Sequence, residues 1–219
     1  MGQAIERRNS LVIFARAPRP GHVKTRIAAQ LGAMAAVEIY RSLAEQTITM
    51  ARMGASYGVT IEYSPRDSES LMRDWLGGSL SLRPQRDGDL GTRMAAAIDE
   101  EFARGAQRVV LIGTDCPGLT FGLIESAFVS LEQSDVVLGP ATDGGYYLIG
   151  VARPYPEIFQ DVPWSSPATL CVTLDRVRER KLRVSLLDEL ADIDTADDWR
   201  AWLTRQDLGG ESAVGRTVA

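Results

Sequence analysis

Apolar residues follow two different periods along the chain, and the period separates predicted strands from predicted helices. The continuous apolar runs LVIFA (11–15) and VVLIG (109–113) are typical of strands that are buried on both faces of a sheet. Shorter or alternating apolar runs predict five further strands, at 57–63, 80–83, 135–141, 146–152 and 184–187.

Apolar residues at three- and four-residue spacing predict the helices between these strands. The longest is opened by Lys24, Thr25 and Arg26, and its apolar stripe extends from Ala33 to Ile48. Four more are predicted at 69–76, from Met94 to Phe102, from Leu123 to Leu131, and at 168–179. A last helix begins after Thr195, whose side chain and that of Asp198 form a variant of the capping box.

Strands that alternate with helices predict an α/β fold with a Rossmann-like, mostly parallel central sheet flanked by helices on both faces. With 219 residues and no linker or repeat, we expect one domain at 10–205, between flexible segments at 1–9 and 206–219. Ligands bind beyond the carboxyl ends of the strands in such sheets. This rule points to the loops after Ala15, Gly113 and Ala141.

Composition narrows the classes of partner. The net charge of -5 argues against a nucleic-acid binder, and no apolar run is long enough to cross a membrane. The N-terminus has no signal-peptide pattern, and the two cysteines, Cys116 and Cys171, are not part of a CxxC motif. We therefore expect a cytoplasmic protein that binds a small anionic ligand.

The loop after the first strand, ARAPRPGHVKTR (15–26), belongs to a stretch without any acidic residue. Free N–H groups at a helix start favour phosphate, and Lys24 and Arg26 would add full charges. The alternative is a solvated basic turn that caps the helix.

Two other loops carry acids. Asp115 follows the clearest buried strand, where a carboxylate can hold Mg²⁺ or Mn²⁺, or only cap the next turn. Asp143 precedes Gly144 and Gly145, which either let a backbone approach a ligand or form a tight hairpin. Asp143 is also a candidate base, or a contact for an acceptor hydroxyl.

The remaining candidates are less specific. In the loop QRDGDLGTR (85–93), Asp89 and Arg93 either contact the nucleotide or cap a helix. The acidic run that includes Asp192 and Asp194 is typical of a solvated face, although either residue could approach a metal. Since His22 is the only histidine, a catalytic triad is not supported, and Cys116 is expected to be a packed, inert thiol.

Five motifs, in the order FARAPRPGHVKTR, QRDGDLGTRM, LIGTDCPGL, GPATDGGYYLIG and DIDTADDW, resemble a bacterial family of predicted glycosyltransferases. This family is labelled arsenosugar-biosynthesis-glycosyltransferase-like and is related to the guanylyltransferases. The resemblance covers about Leu11 to Trp202. It implies a GT-A, nucleotide-diphospho-sugar transferase fold with the nucleotide over the first loop and a metal at Asp115. The single acid of this motif departs from the Asp-x-Asp of many GT-A glycosyltransferases and is found in the guanylyltransferases.

We therefore expect a transferase that uses Mg²⁺ or Mn²⁺, a nucleotide or nucleotide-sugar donor and a small-molecule acceptor. Glycosyl transfer is the first hypothesis, nucleotidyl transfer to a small phosphorylated acceptor the second, and a non-catalytic nucleotide sensor the third. Asp115 and Asp143 are the expected catalytic residues, with the metal at Asp115. The expected substrate-binding residues are Ala15, Arg16, Pro18, Gly21, Lys24, Arg26, Asp89, Arg93, Thr114, Gly144, Gly145 and Tyr146.

Overall fold

Seven strands form one central sheet in the computed structural model, which describes residues 9–54 and 56–211. In chain order they are β1 (Asn9–Arg16), β2 (Tyr57–Ser64), β3 (Ser81–Pro84), β4 (Arg108–Ile112), β5 (Val136–Pro140), β6 (Tyr146–Val151) and β7 (Val184–Leu186). Their order across the sheet is β3-β2-β1-β4-β6-β5-β7.

The sheet is parallel except for one strand. β6 lies between β4 and β5 and is antiparallel to both, whereas the pairs β1–β2, β1–β4, β2–β3 and β5–β7 are parallel. The carboxyl ends of β1, β4 and β5 therefore share one edge of the sheet with the first residue of β6. This edge carries all three loops that the sequence selects.

Helices cover both faces of this sheet. They are α1 (Thr25–Leu31), α2 (Ala33–Ala51), α3 (Glu69–Leu76), α4 (Leu90–Ala103), α5 (Phe121–Ser130), α6 (Thr169–Glu179) and α7 (Ala196–Glu211), with 3-10 turns at Arg66–Ser68 and Pro156–Phe159. One prediction is wrong: the long helix that starts near Lys24 is two helices. Gly32, with a φ of 88°, ends α1, because a glycine in the left-handed region interrupts the helical backbone.

The apolar runs are explained by two separate cores. Leu11 and Ile13 of β1 pack with α2 and α5 on one face, and Val12 packs with α4 on the other. All three side chains are fully buried, which is why the strand lacks polar alternation. A third, smaller apolar cluster contains Ile193 and residues of α1 and α2. Trp199 and Trp202 of α7 pack against this cluster.

The predicted fold class is confirmed, and so is the capping box of the last helix. Thr195 N donates to the Asp198 carboxylate at 2.7 Å, and Asp198 N donates to Thr195 Oγ1 at 3.2 Å. α7 extends to Glu211, into the segment predicted to be flexible from residue 206. Most of both predicted flexible segments lies outside the described residues. No helix in the described ranges is long and apolar enough to cross a membrane.

Candidate functional site

A cavity of about 720 Å³ opens at the carboxyl edge of the sheet. Residues from the ends of β1, β2 and β4, from the loop after β3 and from the start of β6 meet around it. Its lining includes Phe14, Ala15, Arg16, His22, Lys24, Arg26, Tyr40, Ser64, Gln85, Leu90, Arg93, Met94, Thr114, Asp115, Tyr146 and Asp194. The walls thus combine apolar side chains with a few charged groups, as small-molecule sites do.

An acid–lysine cluster forms one wall of this cavity. Lys24 Nζ lies 2.6 Å from Asp115 Oδ1 and 3.2 Å from Asp194 Oδ1. The Lys24 side chain is only 6% exposed, whereas those of Asp115 and Asp194 are 49% and 42% exposed. The lysine charge is therefore balanced inside the protein, and the two carboxylates keep oxygens open to solvent.

Backbone geometry places the three residues of the cluster together. Lys24 has a φ of 44° and a ψ of 52°, in the left-handed region, and its carbonyl accepts the first bond of α1 from Ala28 N at 2.8 Å. Such a conformation costs a non-glycine residue about 1–3 kcal/mol. On the other side, Ile193 N donates to the carbonyl of Asp115 at 2.9 Å, which fixes the 192–194 segment beside β4.

The pKa values of this wall follow from burial and from the neighbouring charges. Burial alone would lower the pKa of Lys24, but the contacts with Asp115 and Asp194 outweigh it and raise that pKa above its ordinary value. Burial and the charges of Asp194 and Asp143 raise the pKa of Asp192 to about 6. Burial also raises the pKa of the Cys116 thiol, which agrees with the inert thiol expected from the sequence.

The carboxylates of this wall fit a hard divalent cation in their chemistry. Mg²⁺ and Mn²⁺ prefer oxygen ligands, and Asp115 and Asp194 present such oxygens close to the same lysine nitrogen. Within residues 9–54 and 56–211, no group of three or more Asp, Glu, His or Cys side chains could hold a metal ion. A cation here would therefore need water or substrate oxygens to complete its coordination, as Mg²⁺ commonly does.

A second charged wall contains Arg93, on the first turn of α4. Arg93 Nη1 donates to Gln85 Oε1 at 2.9 Å, and Arg93 Nε donates to the Asp89 carbonyl at 3.3 Å. Gln85 is buried, and its Nε2 donates to the Glu62 carbonyl at 2.9 Å. Gln85 was missed at the sequence level. Its position directly after β3, at the carboxyl edge, is the signal that could have identified it.

Tyr40 is another residue that sequence reasoning left in the apolar stripe of a helix. Its hydroxyl accepts the backbone N–H of Arg16 at 2.6 Å, and its ring is buried. Burial raises the pKa of Tyr40 to about 12, so the hydroxyl keeps its proton at neutral pH. The phenol therefore fixes the last residue of β1 at the cavity wall.

The segment Asp143–Gly145 forms a tight turn between β5 and β6. Asp143 Oδ1 accepts from Gly145 N at 2.7 Å, and Gly144 has a φ of 88°. A Cβ on Gly144 would lie 2.2 Å from the carbonyl oxygen of Pro167. The positive φ and the close approach of Pro167 therefore account for glycine at Gly144, as the turn alternative proposed.

The structure brings together eight of the residues expected from the sequence. Ala15, Arg16, Lys24, Arg26, Arg93, Thr114, Asp115 and Tyr146 line the cavity, and Asp194 joins them. Pro18, Gly21, Asp89, Asp143, Gly144 and Gly145 are not among its lining residues. Asp89 instead caps α4, because its carboxylate accepts from Thr92 N at 2.8 Å.

The sequence and fold have clear relatives. The model of a bacterial protein family described as "uncharacterized protein conserved in bacteria (DUF2064)" matches residues 47–166. A provisionally assigned nucleotide-diphospho-sugar transferase of Desulfovibrio desulfuricans G20 is 31% identical to the chain, with a TM-score of 0.85. The match covers 89% of this chain and 86% of that one.

More distant solved structures share the fold alone. A CMP:2-keto-3-deoxy-manno-octonic acid synthetase in complex with CTP is 13% identical, with a TM-score of 0.58 over 91% of this chain and 99% of that one. Rv0371c of Mycobacterium tuberculosis H37Rv, in complex with manganese, is 15% identical, with a TM-score of 0.53 over 90% and 98%. None of the curated proteins matches the sequence.

Proposed function

We propose that this chain, which belongs to the DUF2064 family of proteins conserved in bacteria, is a transferase with a nucleotide-activated donor, and that the donor is a nucleotide-sugar. The observation that carries the proposal is the cavity at the carboxyl edge, where Asp115 and Asp194 meet Lys24 beside apolar walls. Its volume of about 720 Å³ lies within the usual range for small-molecule sites. The 31% identical structural relative supports the sugar-nucleotide donor.

In this proposal, Asp115 and Asp194 would hold Mg²⁺ or Mn²⁺ against the diphosphate of the donor. The bound cation supplies positive charge next to the phosphate oxygens. Lys24 holds the two carboxylates at fixed positions, so that they do not have to be ordered when the donor binds. Tyr40 fixes the end of β1, and the apolar side chains of Leu90 and Met94 exclude water from the inner wall.

Glycosyl transfer requires that the oxygen of an acceptor hydroxyl forms a bond to the anomeric carbon of the sugar. The bond between that carbon and the diphosphate oxygen breaks, and its electron pair leaves with the nucleoside diphosphate. The hydroxyl proton passes to a base, for which Asp143 is the candidate from the sequence. Cations near the leaving diphosphate lower the barrier because negative charge develops there.

Nucleotidyl transfer is the second candidate, and the position of Asp143 favours it. The Asp143 carboxylate is engaged by Gly145 N at 2.7 Å, and Asp143 is not among the residues that line the cavity. A phosphate acceptor is already ionised and needs no base. Its oxygen would attack the α-phosphorus of a nucleoside triphosphate, and pyrophosphate would leave with the electron pair.

The released product separates the two reactions. The purified protein is incubated with a panel of UDP-, GDP-, CDP-, ADP- and dTDP-sugars or with the nucleoside triphosphates, each with Mn²⁺ and with water or small-molecule acceptors. Release of a nucleoside diphosphate supports the glycosyl transfer proposed here. Release of pyrophosphate would replace it with nucleotidyl transfer.

Asp115→Asn tests the site itself, with Asp188→Asn as the matched control because Asp188 is an exposed acid outside the cavity lining. We expect Asp115→Asn to abolish metal-dependent donor binding and Asp188→Asn to leave it unchanged. Donor binding that survives in Asp115→Asn, together with no turnover by the wild-type protein with any acceptor, would instead identify a nucleotide sensor. If no nucleotide or nucleotide-sugar binds to the wild-type protein, the proposed function is wrong.

A further inference from the structure

We propose that Arg93 and Arg16 form an anion-binding subsite for a phosphoryl group, apart from the Lys24–Asp115–Asp194 cluster, and that Gln85 positions Arg93 for it. The inference rests on the proposed function and names the part of the cavity that takes phosphoryl charge. Both arginines line the same cavity, Arg16 from the end of β1 and Arg93 from the first turn of α4.

Neutral groups of the loop before α4 hold the Arg93 side chain in place. Its two hydrogen-bond acceptors are the amide oxygen of Gln85, at 2.9 Å, and the carbonyl oxygen of Asp89, at 3.3 Å. Both acceptors are neutral, so they orient the guanidinium without forming an ion pair with it. Of the two carboxylates on the same loop, that of Asp89 caps the helix at Thr92 N, and that of Asp87 lies 3.6 Å from Arg66.

Arg83, on the neighbouring strand β3, shows the opposite arrangement. Its guanidinium lies 3.1 Å from Glu62 Oε1 and also forms an ion pair with Glu101. This arginine has a mostly buried side chain that is neutralised by acids, as buried charges usually are. The buried Arg83 is thus neutralised by carboxylates, whereas Arg93, which lines the cavity, has no carboxylate within ion-pair distance among the described residues.

Gln85 is built into the fold in a way that fixes its orientation. Its side chain is buried, its Nε2 donates to the Glu62 carbonyl at 2.9 Å, and its backbone N donates to the Tyr63 carbonyl at 2.8 Å. The amide oxygen consequently has one orientation, towards Arg93. Gln85 would act on the bound anion only by orienting Arg93, so we assign it a positioning role.

Arg16 and Arg93 also carry positive charge without a carboxylate of the described residues in direct contact. Within the described ranges 9–54 and 56–211, neither Arg16 nor Arg93 has an acidic partner within ion-pair distance. Burial and the positive charge of Arg16 lower the pKa of Arg93 by more than the charge of Asp89 raises it, which agrees with two cations facing the same space. An anion between them would remove this repulsion and accept charged hydrogen bonds from both.

Lys24 cannot serve the same purpose in this structure. Its charge is balanced by Asp115 and Asp194, and the cluster as a whole carries a net negative charge. Arg26 is exposed and lies 3.6 Å from Asp194. The positive wall that remains for a phosphoryl group is the one that Arg16 and Arg93 form.

The test measures binding of pyrophosphate and of inorganic phosphate to the full chain by calorimetry, in EDTA and without divalent metal. We expect Arg93→Gln and Arg16→Gln each to weaken pyrophosphate binding by about 10-fold to 100-fold. Arg86→Gln is the matched control, because Arg86 lies in the same loop, is exposed, pairs with Glu100 at 2.7 Å and does not line the cavity. It should bind pyrophosphate like the wild type.

Two results overturn the inference: wild-type protein that binds no pyrophosphate at millimolar concentration, or arginine variants that bind it as well as wild type does. Because Arg16 is exposed and its side chain supports no described hydrogen bond, Arg16→Gln tests the proposal even if a variant at Arg93 is unstable. If the arginine variants lose the pyrophosphate binding that the wild type shows, but the wild type binds no nucleotide, the proposed function is overturned and the subsite is kept.

The role of Gln85 is tested by a double-mutant cycle. Gln85→Met removes the amide oxygen and keeps the side-chain length, and it should weaken pyrophosphate binding as Arg93→Gln does. If Gln85 acts through Arg93, the double variant loses no more affinity than Arg93→Gln alone. Additive losses would show a merely structural role and overturn the assignment of Gln85.

A last comparison identifies the source of the phosphoryl group. UDP and GDP stand for the donor, and glycerol phosphate stands for a phosphorylated acceptor, each titrated into wild type and Arg93→Gln. A loss confined to the nucleoside diphosphates assigns the subsite to the donor. A loss confined to glycerol phosphate assigns it to the acceptor and favours nucleotidyl transfer.

Discussion

Lys24 and Asp115 follow β1 and β4 in the chain and meet as an ion pair of 2.6 Å at the carboxyl edge of the sheet. The two strands are parallel neighbours, so the loops after them have to approach each other. Asp194 closes the cluster from a third loop, at 3.2 Å from the same nitrogen. A lysine that looked like a free phosphate ligand is thus the internal counterion of two carboxylates.

Lys24→Met should destabilise the protein because Asp115 and Asp194 would then face each other without a counterion. Charged hydrogen bonds contribute about 1.5–3 kcal/mol, and partial exposure of both acids reduces the expected loss to about 1–2 kcal/mol. Urea unfolding in EDTA measures the change in the free energy of unfolding. Arg178→Met is the control, since its pair with Asp175 is exposed and should change stability by less than about 0.5 kcal/mol.

Asp192→Asn should stabilise the protein at high pH and have less effect at low pH. The folded state holds a proton on Asp192 up to a pKa of about 6, whereas the unfolded chain releases it near 3.8. The free energy of unfolding therefore falls as pH rises between these two values. Asparagine does not ionise, so the variant does not lose this stability. We expect a Tm about 2–4 °C above wild type at pH 8 in EDTA, and a smaller difference at pH 4.

An equal shift at both pH values would contradict the buried-acid explanation for Asp192. Asp188→Asn serves as the control, because Asp188 is an exposed acid a few positions earlier in the same acidic run. Its Tm difference from wild type should not change between pH 4 and pH 8.

Gly144→Ala should destabilise the protein more than Gly21→Ala does. Both glycines have positive φ values, 88° and 78°, so both substitutions carry the cost of the left-handed region, about 1–2 kcal/mol. A Cβ at Gly21 would meet nothing within 4 Å, whereas one at Gly144 would lie 2.2 Å from the Pro167 carbonyl. Urea unfolding of the two variants isolates the cost of that clash, and equal losses would disprove it.

Asp143→Asn and Asp143→Ala separate a base from a turn residue. Asparagine keeps an oxygen that can accept from Gly145 N, whereas alanine removes it. If the carboxylate is the base for glycosyl transfer, both variants lose donor-dependent turnover to a similar extent. If Asp143 only holds the turn, Asp143→Asn retains turnover and Asp143→Ala loses about 1 kcal/mol of stability, measured by thermal unfolding.

Local patterns were sufficient for most of the framework. The strand at 57–63 and the helix at 69–76 were predicted at or within one residue of β2 and α3, because period and apolar run length report burial directly. The break at Gly32 was missed because the apolar stripe continues across it, and the backbone angle that ends α1 leaves no trace in that stripe.

The candidate site was predicted only in part. The topology rule selected the loops that carry Lys24 and Asp115, whereas Arg93 was a less specific candidate on a loop that the rule did not select, and all three residues line the cavity. Tyr40 was missed because its importance lies in one hydrogen bond to Arg16, which is distant in the chain. Gln85 was missed because its bond to Arg93 depends on the folded shape of the loop that carries both residues. No periodicity or motif encodes such a contact.

The sequence by itself determined the alternation of strands and helices, the capping box at Thr195 and the loops that carry charge, because each depends on residues a few positions apart. Only the tertiary structure decided how those charges combine. It pairs Lys24 with two carboxylates and gives Arg93 an amide and a carbonyl instead. The physical reason is that charge compensation acts through space, over a few ångströms between loops that the order of the strands brings together.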